Sequence, residues 1–185
     1  MARLMLLGIG TARSPRFAPA GLLVEYGHTR VGLDGGPGSE PPENVHAWLV
    51  TDEHGPLRDD LHRIAHESEM LEPTVAPYCH GTLHVDPLPV AHPRAGVHGY
   101  KITRGHRAAV WAPEFVKLPD WAEAADLVFA GAEGCDVEET AEAARRLGVR
   151  RLIFVRLGDE ACAAMDSGEI PPFGEWGEEG GQYRM

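Results

Sequence analysis

Short apolar runs separated by glycines and prolines constrain the fold of this chain most strongly. Through the first two thirds of the chain these runs predict β-strands, because apolar stretches of this length between turn residues are typical of strands. In the last third, strand-like runs alternate with helical patterns. Two β-sheets packed face to face with helices outside fit this order. The predicted class is therefore α/β (α+β), with a four-layer αββα sandwich.

The individual elements follow from the spacing of the apolar residues. Strands are predicted at residues 3–8, 21–26, 29–33, 46–50, 74–76, 81–85, 99–103, 108–112, 126–130 and 151–156. Helices are predicted at residues 57–68, 137–147 and 159–167, with Gly148 ending the second one. Prolines at positions 77, 87, 89 and 93 are expected to limit the strands around them. The tail from residue 168 is expected to be held only through Phe173 and Trp176.

Length and composition narrow the function. A chain of 185 residues fits one domain covering residues 1–185. The net charge of −11 argues against binding a nucleic-acid backbone, which needs clustered Lys and Arg. No apolar run reaches the roughly 20 residues of a membrane helix, and no signal-peptide pattern is present. Three widely spaced cysteines indicate no disulfide framework. We therefore expect a cytoplasmic protein without membrane contact.

Several segments, taken in order, resemble the metallo-β-lactamase superfamily, specifically its ribonuclease Z and phosphodiesterase-like branch. The segments are residues 6–12 (LLGIGTA), 20–26 (AGLLVEY), 31–36 (VGLDGG), 90–92 (VAH), 98–102 (HGYKI), 125–128 (ADLV) and 151–155 (RLIFV). Residues 50–57 (VTDEHGPL) stand where that family carries its metal loop, Thr-His-x-His-x-Asp-His. The resemblance covers nearly the whole chain, and it implies the same sandwich fold.

Carried over residue by residue, the family's first metal site corresponds to Asp52, His54 and His92. Two imidazoles and one carboxylate can hold one divalent ion, with zinc expected and manganese or iron as alternatives. Asp34 is expected to support this loop from behind the ligands, as the corresponding acid does in the family. Equally, its side chain can fold the glycine turn that follows it, and the two roles are compatible.

The positions of the second metal site carry Pro56, Leu57 and Arg156, and none of these is an ordinary metal ligand. The family's bridging aspartate aligns with Pro113 or, after a shift of one residue, with Glu114. The two-metal mechanism, in which paired cations stabilise the attacking and leaving oxygens, therefore looks unavailable.

Arg156 suggests a replacement for the missing charge. Its guanidinium can pair with Glu114 or with an anionic ligand. In a catalytic role, Glu114 or Asp52 would handle the proton while Arg156 steadies developing negative charge. The simpler alternative, which we favour at this point, is a structural ion pair that fills the vacated site.

The other histidines offer weaker candidates. His84 is a reserve fourth ligand, because it can meet His92 if the strand turns between them. His62 and His66 stand at i and i+4 on the first helix, where a solvated face is the simpler interpretation. His80 and His84, beside Cys79, form the remaining pair.

Two functions follow from the resemblance. The favoured one is a degenerate metallo-β-lactamase-like protein without the two-metal hydrolase centre, inactive or weakly active, with or without one retained metal ion. The alternative is a single-metal hydrolase of a small ester or phosphodiester. A small anionic molecule is the expected partner. A role in tRNA processing is disfavoured because no basic arm is visible, and homo-oligomerisation is left open.

Overall fold

The computed structural model describes residues 1–185 and contains twelve strands and three α-helices. The strands are β1 (Ala2–Gly8), β2 (Gly21–Tyr26), β3 (Thr29–Asp34), β4 (Ala47–Leu49), β5 (Tyr78–His80), β6 (Leu83–Pro89), β7 (His98–Arg104), β8 (Arg107–Ala112), β9 (Leu127–Gly131), β10 (Leu152–Val155), β11 (Glu175–Trp176) and β12 (Gln182–Arg184). The helices are α1 (Arg58–Glu67), α2 (Val137–Arg146) and α3 (Asp159–Asp166), with a 3₁₀ turn at Asp120–Ala122.

The strands form two sheets. The five-stranded sheet has the order β12-β1-β2-β3-β4, and the seven-stranded sheet has the order β11-β10-β9-β8-β7-β6-β5. In the seven-stranded sheet, β5 to β8 pair antiparallel, whereas β8, β9, β10 and β11 pair parallel. Every residue of β9 and β10 is buried, as expected for parallel strands covered on both faces.

The main core lies between the two sheets, and the helices cover their outer faces. A cluster of 37 buried residues joins inward-facing side chains of both sheets with alanines of α2 and α3. A separate cluster packs Leu61, Ile64 and Ala65 of α1 against Leu23 and Trp48 on the outer face of the five-stranded sheet. The predicted αββα arrangement is confirmed. No helix has the length and apolar character needed to span a membrane.

The helices begin and end close to the predicted positions, because their apolar spacing and capping residues are local. The Asp136 side chain caps α2 by accepting from the Glu139 backbone N–H at 3.0 Å. Gly148 has a φ of +68° directly after the C-cap Leu147, which is the left-handed position that glycine favours.

Two strand predictions are wrong, one in where a strand ends and one in whether a strand forms. Strand β6 continues through Pro87 to Pro89, although these prolines were expected to end it. β6 pairs with β7 along its whole length but with β5 only at residues 83–85. The second edge of β6 is therefore unpaired beyond residue 85. A proline there lacks an N–H that would have had no neighbouring strand to bond to. Residues 74–76 form no strand, and only an isolated bridge joins Leu49 to Thr74.

The tail is held far more firmly than Phe173 and Trp176 alone would allow, so that prediction is also wrong. β11 extends the seven-stranded sheet beside β10, and β12 extends the five-stranded sheet beside β1. The Tyr183 side chain is 6% exposed and stacks edge-on to Phe129, with ring centroids 5.1 Å apart. The tail thus closes one edge of each sheet.

Candidate functional site

A small cleft of about 70 Å³ opens where the ends of β3, β8 and β10 meet the loop after β4. Its charged lining residues are Asp34, Asp52, Arg58, Glu114 and Arg156. Its wall also includes Pro56 and Leu57, which offer no ligand atoms. This is the place at which the resemblance locates a metal centre.

Asp34 ties the two sheets together behind the cleft. Its Oδ1 accepts from the Thr51 backbone N–H at 2.8 Å, and its Oδ2 accepts from Trp111 Nε1 at 2.7 Å. The Thr51 hydroxyl donates to the same carboxylate at 3.0 Å. Burial raises the pKa of Asp34 from 3.8 to about 6, because desolvation of the charged form outweighs the hydrogen bonds that favour it.

The contacts of Asp34 bear on the loop after β4. Its carboxylate holds Thr51, the residue before Asp52, and so supports the loop as the first interpretation expects. None of its side-chain hydrogen bonds goes to the glycine turn at residues 35–38.

Asp52 points its carboxylate into the cleft, and its side chain is only 6% exposed. Its Oδ1 accepts from the His54 backbone N–H at 2.8 Å, which folds the loop into a tight turn. Its Oδ2 lies 2.9 Å from Arg94 Nη1 but receives no well-aligned hydrogen bond. The short distance makes this an ion pair, although its geometry is poor for hydrogen bonding.

Glu114 stands between two guanidinium groups. Its Oε2 accepts from Arg94 Nη2 at 2.8 Å, and its Oε1 pairs closely with Arg156 Nη1. Arg156 also donates from Nε to Glu133 Oε2 at 2.9 Å. The expected pairing of Arg156 with Glu114 is therefore present. Both side chains are largely buried, with Glu114 13% and Arg156 19% exposed.

The loop that carries Glu114 is fixed by a close approach of two strands. At Gly131, the last residue of β9, an added Cβ would lie 2.0 Å from the backbone oxygen of Pro113. Only glycine fits such a contact. Arg156, directly after β10, has a φ of +52°, an uncommon conformation for a non-glycine residue. With the backbone in this conformation, the Arg156 guanidinium lies against Glu114.

The predicted metal ligands do not come together. The Asp52 turn leaves His54 exposed and outside the cleft lining. His92 Nδ1 accepts from the Arg94 backbone N–H at 3.1 Å, while its Nε2 lies 3.7 Å from Glu114 Oε2. The structure contains no group of three or more His, Cys, Asp or Glu side chains that could hold a metal ion. The ligand roles of Asp52, His54 and His92 stay predictions.

The reserve histidines lie elsewhere. His84 pairs with Cys79 and Thr103 near the start of β6, on an exposed face. β6 then runs straight to Pro89, so roughly 17 Å of strand separates His84 from the loop of His92. His84 therefore does not reach His92. On α1, His62 pairs through Nδ1 with Glu72 rather than with His66.

As the side chains lie in this structure, the cleft is not arranged to hold a metal ion. The carboxylates that a divalent ion would need, Asp52 and Glu114, are already paired with cationic side chains. Arg94 was missed by sequence reasoning, since it is not a ligand type and stands in a loop without any motif. Only its position two residues after His92 could have drawn attention to it.

Neither a family model nor a curated protein sequence matches the chain. Solved structures do match it, in 93 chains. The metallo-beta-lactamase fold protein YhfI from Bacillus subtilis has 14% identity and a TM-score of 0.74, with both chains covered completely. A diphosphatase of the PhnP family has 16% identity and a TM-score of 0.75, over 100% of this chain and 98% of its own.

The short form of human tRNase Z (ELAC1) has 13% identity and a TM-score of 0.64, over 98% of each chain. At such low sequence identities, these similarities show only that the folds are alike. The expected resemblance is confirmed at that level, and the protein has the metallo-β-lactamase fold.

Proposed function

We propose that this protein is a degenerate member of its fold, in which a network of ion pairs has replaced the two-metal hydrolase centre. The observation that carries the proposal is the position of two guanidinium groups. Arg94 lies between Asp52 and Glu114, and Arg156 lies between Glu114 and Glu133. These four contacts occupy the acidic groups that a metal ion would otherwise use.

Electrostatics makes the replacement effective. Both oxygens of Glu114 face a guanidinium, so a divalent ion would have to displace one of them. Two unit charges 5 Å apart interact by on the order of 3 kcal/mol at an effective dielectric constant of about 20. Because a divalent ion carries two charges, each arginine would repel it about twice as strongly. The cleft is therefore expected to exclude metal ions.

The loss of the metal removes the means of activating water. A bound divalent ion would lower the pKa of its water, and neither arginine can do so or act as a base. Pro56 offers no acceptor where the family has an aspartate. We therefore infer that the ion pairs keep the cleft folded, and that the protein does not hydrolyse esters or phosphodiesters by metal catalysis.

A hydrolase screen tests this proposal. We expect phosphodiester and carboxylester substrates to be hydrolysed no faster by the protein than by buffer when zinc, manganese or iron(II) is added. Released phenolate from nitrophenyl substrates gives the rate. Metal-dependent turnover that Asp52→Ala abolishes, and that the exposed control Asp59→Ala leaves intact, would overturn the proposal.

The second candidate function is the single-metal hydrolase, and one observation favours it. Asp52 Oδ2 is buried without an aligned donor, and Arg94, which lies beside it, is 43% exposed. An exposed side chain can swing away and leave Asp52 available. If this candidate is correct, Asp52→Ala and His92→Ala should each release bound metal, and His62→Ala should not.

A further inference from the structure

A row of charged side chains crosses the outer face of the five-stranded sheet, away from the cleft. Strand pairing places Arg184, Arg3, Glu25 and Arg30 side by side on β12, β1, β2 and β3. His46 continues the row, since its backbone N–H donates to the Arg30 carbonyl at 2.7 Å. We call these five residues the basic row.

The charges of the basic row do not balance. Glu25 is 15% exposed and is its only acid. Its Oε2 accepts from Arg3 Nε at 2.7 Å, and its Oε1 accepts from Arg30 Nε at 3.1 Å. One carboxylate thus fixes two guanidiniums and cannot neutralise both. This excess of positive charge stands out in a chain whose net charge is −11.

Arg184 adds a second, independent feature, an unpaired guanidinium. It lies directly opposite Arg3, and like charges at opposed positions of an antiparallel pair are destabilising. Arg184 forms no ion pair in the structure, whereas Arg3 has only the Glu25 contact. An anion bound between the two guanidiniums would relieve the repulsion.

The surroundings leave room for a ligand. A groove of about 650 Å³ lies beside part of the row, lined by Arg3, Glu25, Arg30 and His46 together with His28 and Asn44, while Arg184 stands at the end of the row, outside this lining. Arg30 Nη1 donates to Asn44 Oδ1 at 2.8 Å, which holds the guanidinium beside the groove. The row lies at the start of β3, and Asp34 of the cleft lies at its end, roughly 13 Å away. The two sites are therefore separate.

We propose that the basic row binds the phosphate groups of a small phosphorylated molecule. Guanidinium groups bind phosphate through paired N–H donors, which suits arginines fixed by a shared carboxylate. Neighbouring strands put the backbones of Arg184 and Arg3 about 5 Å apart, while the guanidiniums of Arg3 and Arg30 meet at the two oxygens of the Glu25 carboxylate. One phosphate fits between the first pair, and a second charged group fits in the groove. A diphosphate should therefore bind more tightly than a single phosphate.

Isothermal titration of the full chain with inorganic phosphate and with pyrophosphate tests the proposal. At low salt we expect saturable binding of both, tighter for pyrophosphate. Arg184→Gln should weaken pyrophosphate binding about tenfold, because it removes charge-assisted hydrogen bonds. Arg184 has no partner in the fold, so this variant should fold normally. Arg63→Gln on α1, which removes an arginine already paired with Asp60 and Glu67, should change nothing.

Three results would overturn the assignment. One is the absence of saturable binding of either anion. Another is equal binding by wild type and Arg184→Gln. The third is binding of a single-stranded oligonucleotide more tightly than pyrophosphate and with the same Arg184 dependence, which would identify a nucleic-acid surface instead.

Discussion

Arg156→Met is expected to lower the free energy of unfolding by about 3 kcal/mol, since removing one partner of a buried pair leaves the other charge uncompensated. Glu114 would keep Arg94 as a partner, but Arg94 is 43% exposed and more strongly screened by solvent. Glu133 would lose its only contact with this site. Met keeps an unbranched side chain but lacks the guanidinium, and it is also a non-glycine residue at a φ of +52°. Urea denaturation at neutral pH measures the change.

A matched variant separates this effect from the general loss of an arginine. Arg146 pairs with Glu142 on α2, and both side chains are about 70% exposed. Arg146→Met should cost less than about 1 kcal/mol, as exposed ion pairs generally do. The double variant Glu114→Gln with Arg156→Met should recover part of the loss. If Arg156→Met is no more destabilising than Arg146→Met, the arginine does not hold the site together.

The second large effect concerns pH and Asp34. Burial raises the pKa of Asp34 to about 6, whereas the unfolded chain has a pKa near 3.8. The folded protein therefore binds this proton more tightly, and its contribution to stability is present below pH 4. The contribution is lost as the pH rises through 6. Two pKa units correspond to about 3 kcal/mol, so this residue should make the fold less stable at pH 7 than at pH 4.

Asp34→Asn isolates the contribution, because asparagine cannot titrate and tolerates the positive φ of this position. The unfolding free energy of the wild type minus that of the variant should fall by about 2 kcal/mol from pH 4 to pH 7, because the unfolded carboxyl is already partly ionised at pH 4. Asp59→Asn, at a fully exposed position of α1, should give a flat difference. A flat difference for Asp34→Asn as well would mean that its carboxyl group titrates normally.

Local patterns were enough to predict most of the fold. The apolar spacing of α1 and α2 and the glycine after α2 are short-range signals, and the structure bears them out. The end of strand β6 could not be predicted correctly, because a strand tolerates a proline only where the edge that loses the N–H is unpaired. The tail strands β11 and β12 are too short to show periodicity, and only their partners in the two sheets define them.

The candidate site was partly predictable. The pairing of Arg156 with Glu114 followed from alignment to a known loop order, and the support that Asp34 gives to the loop followed in the same way. The exposure of His54 did not follow, because it depends on the turn that the Asp52 side chain forms with the His54 backbone. Arg94 could not be foreseen either. Its contacts with Asp52 and Glu114 span 42 and 20 residues of sequence, and nothing near it in the chain indicates them.

Elemental analysis of the protein, purified without added metal and again after dialysis against zinc, tests most directly whether guanidinium groups have taken the place of metal ions. Well below one divalent ion per chain is expected in both samples, because the carboxylates are already neutralised. One or more tightly held ions per chain, lost in Asp52→Ala, would contradict the account.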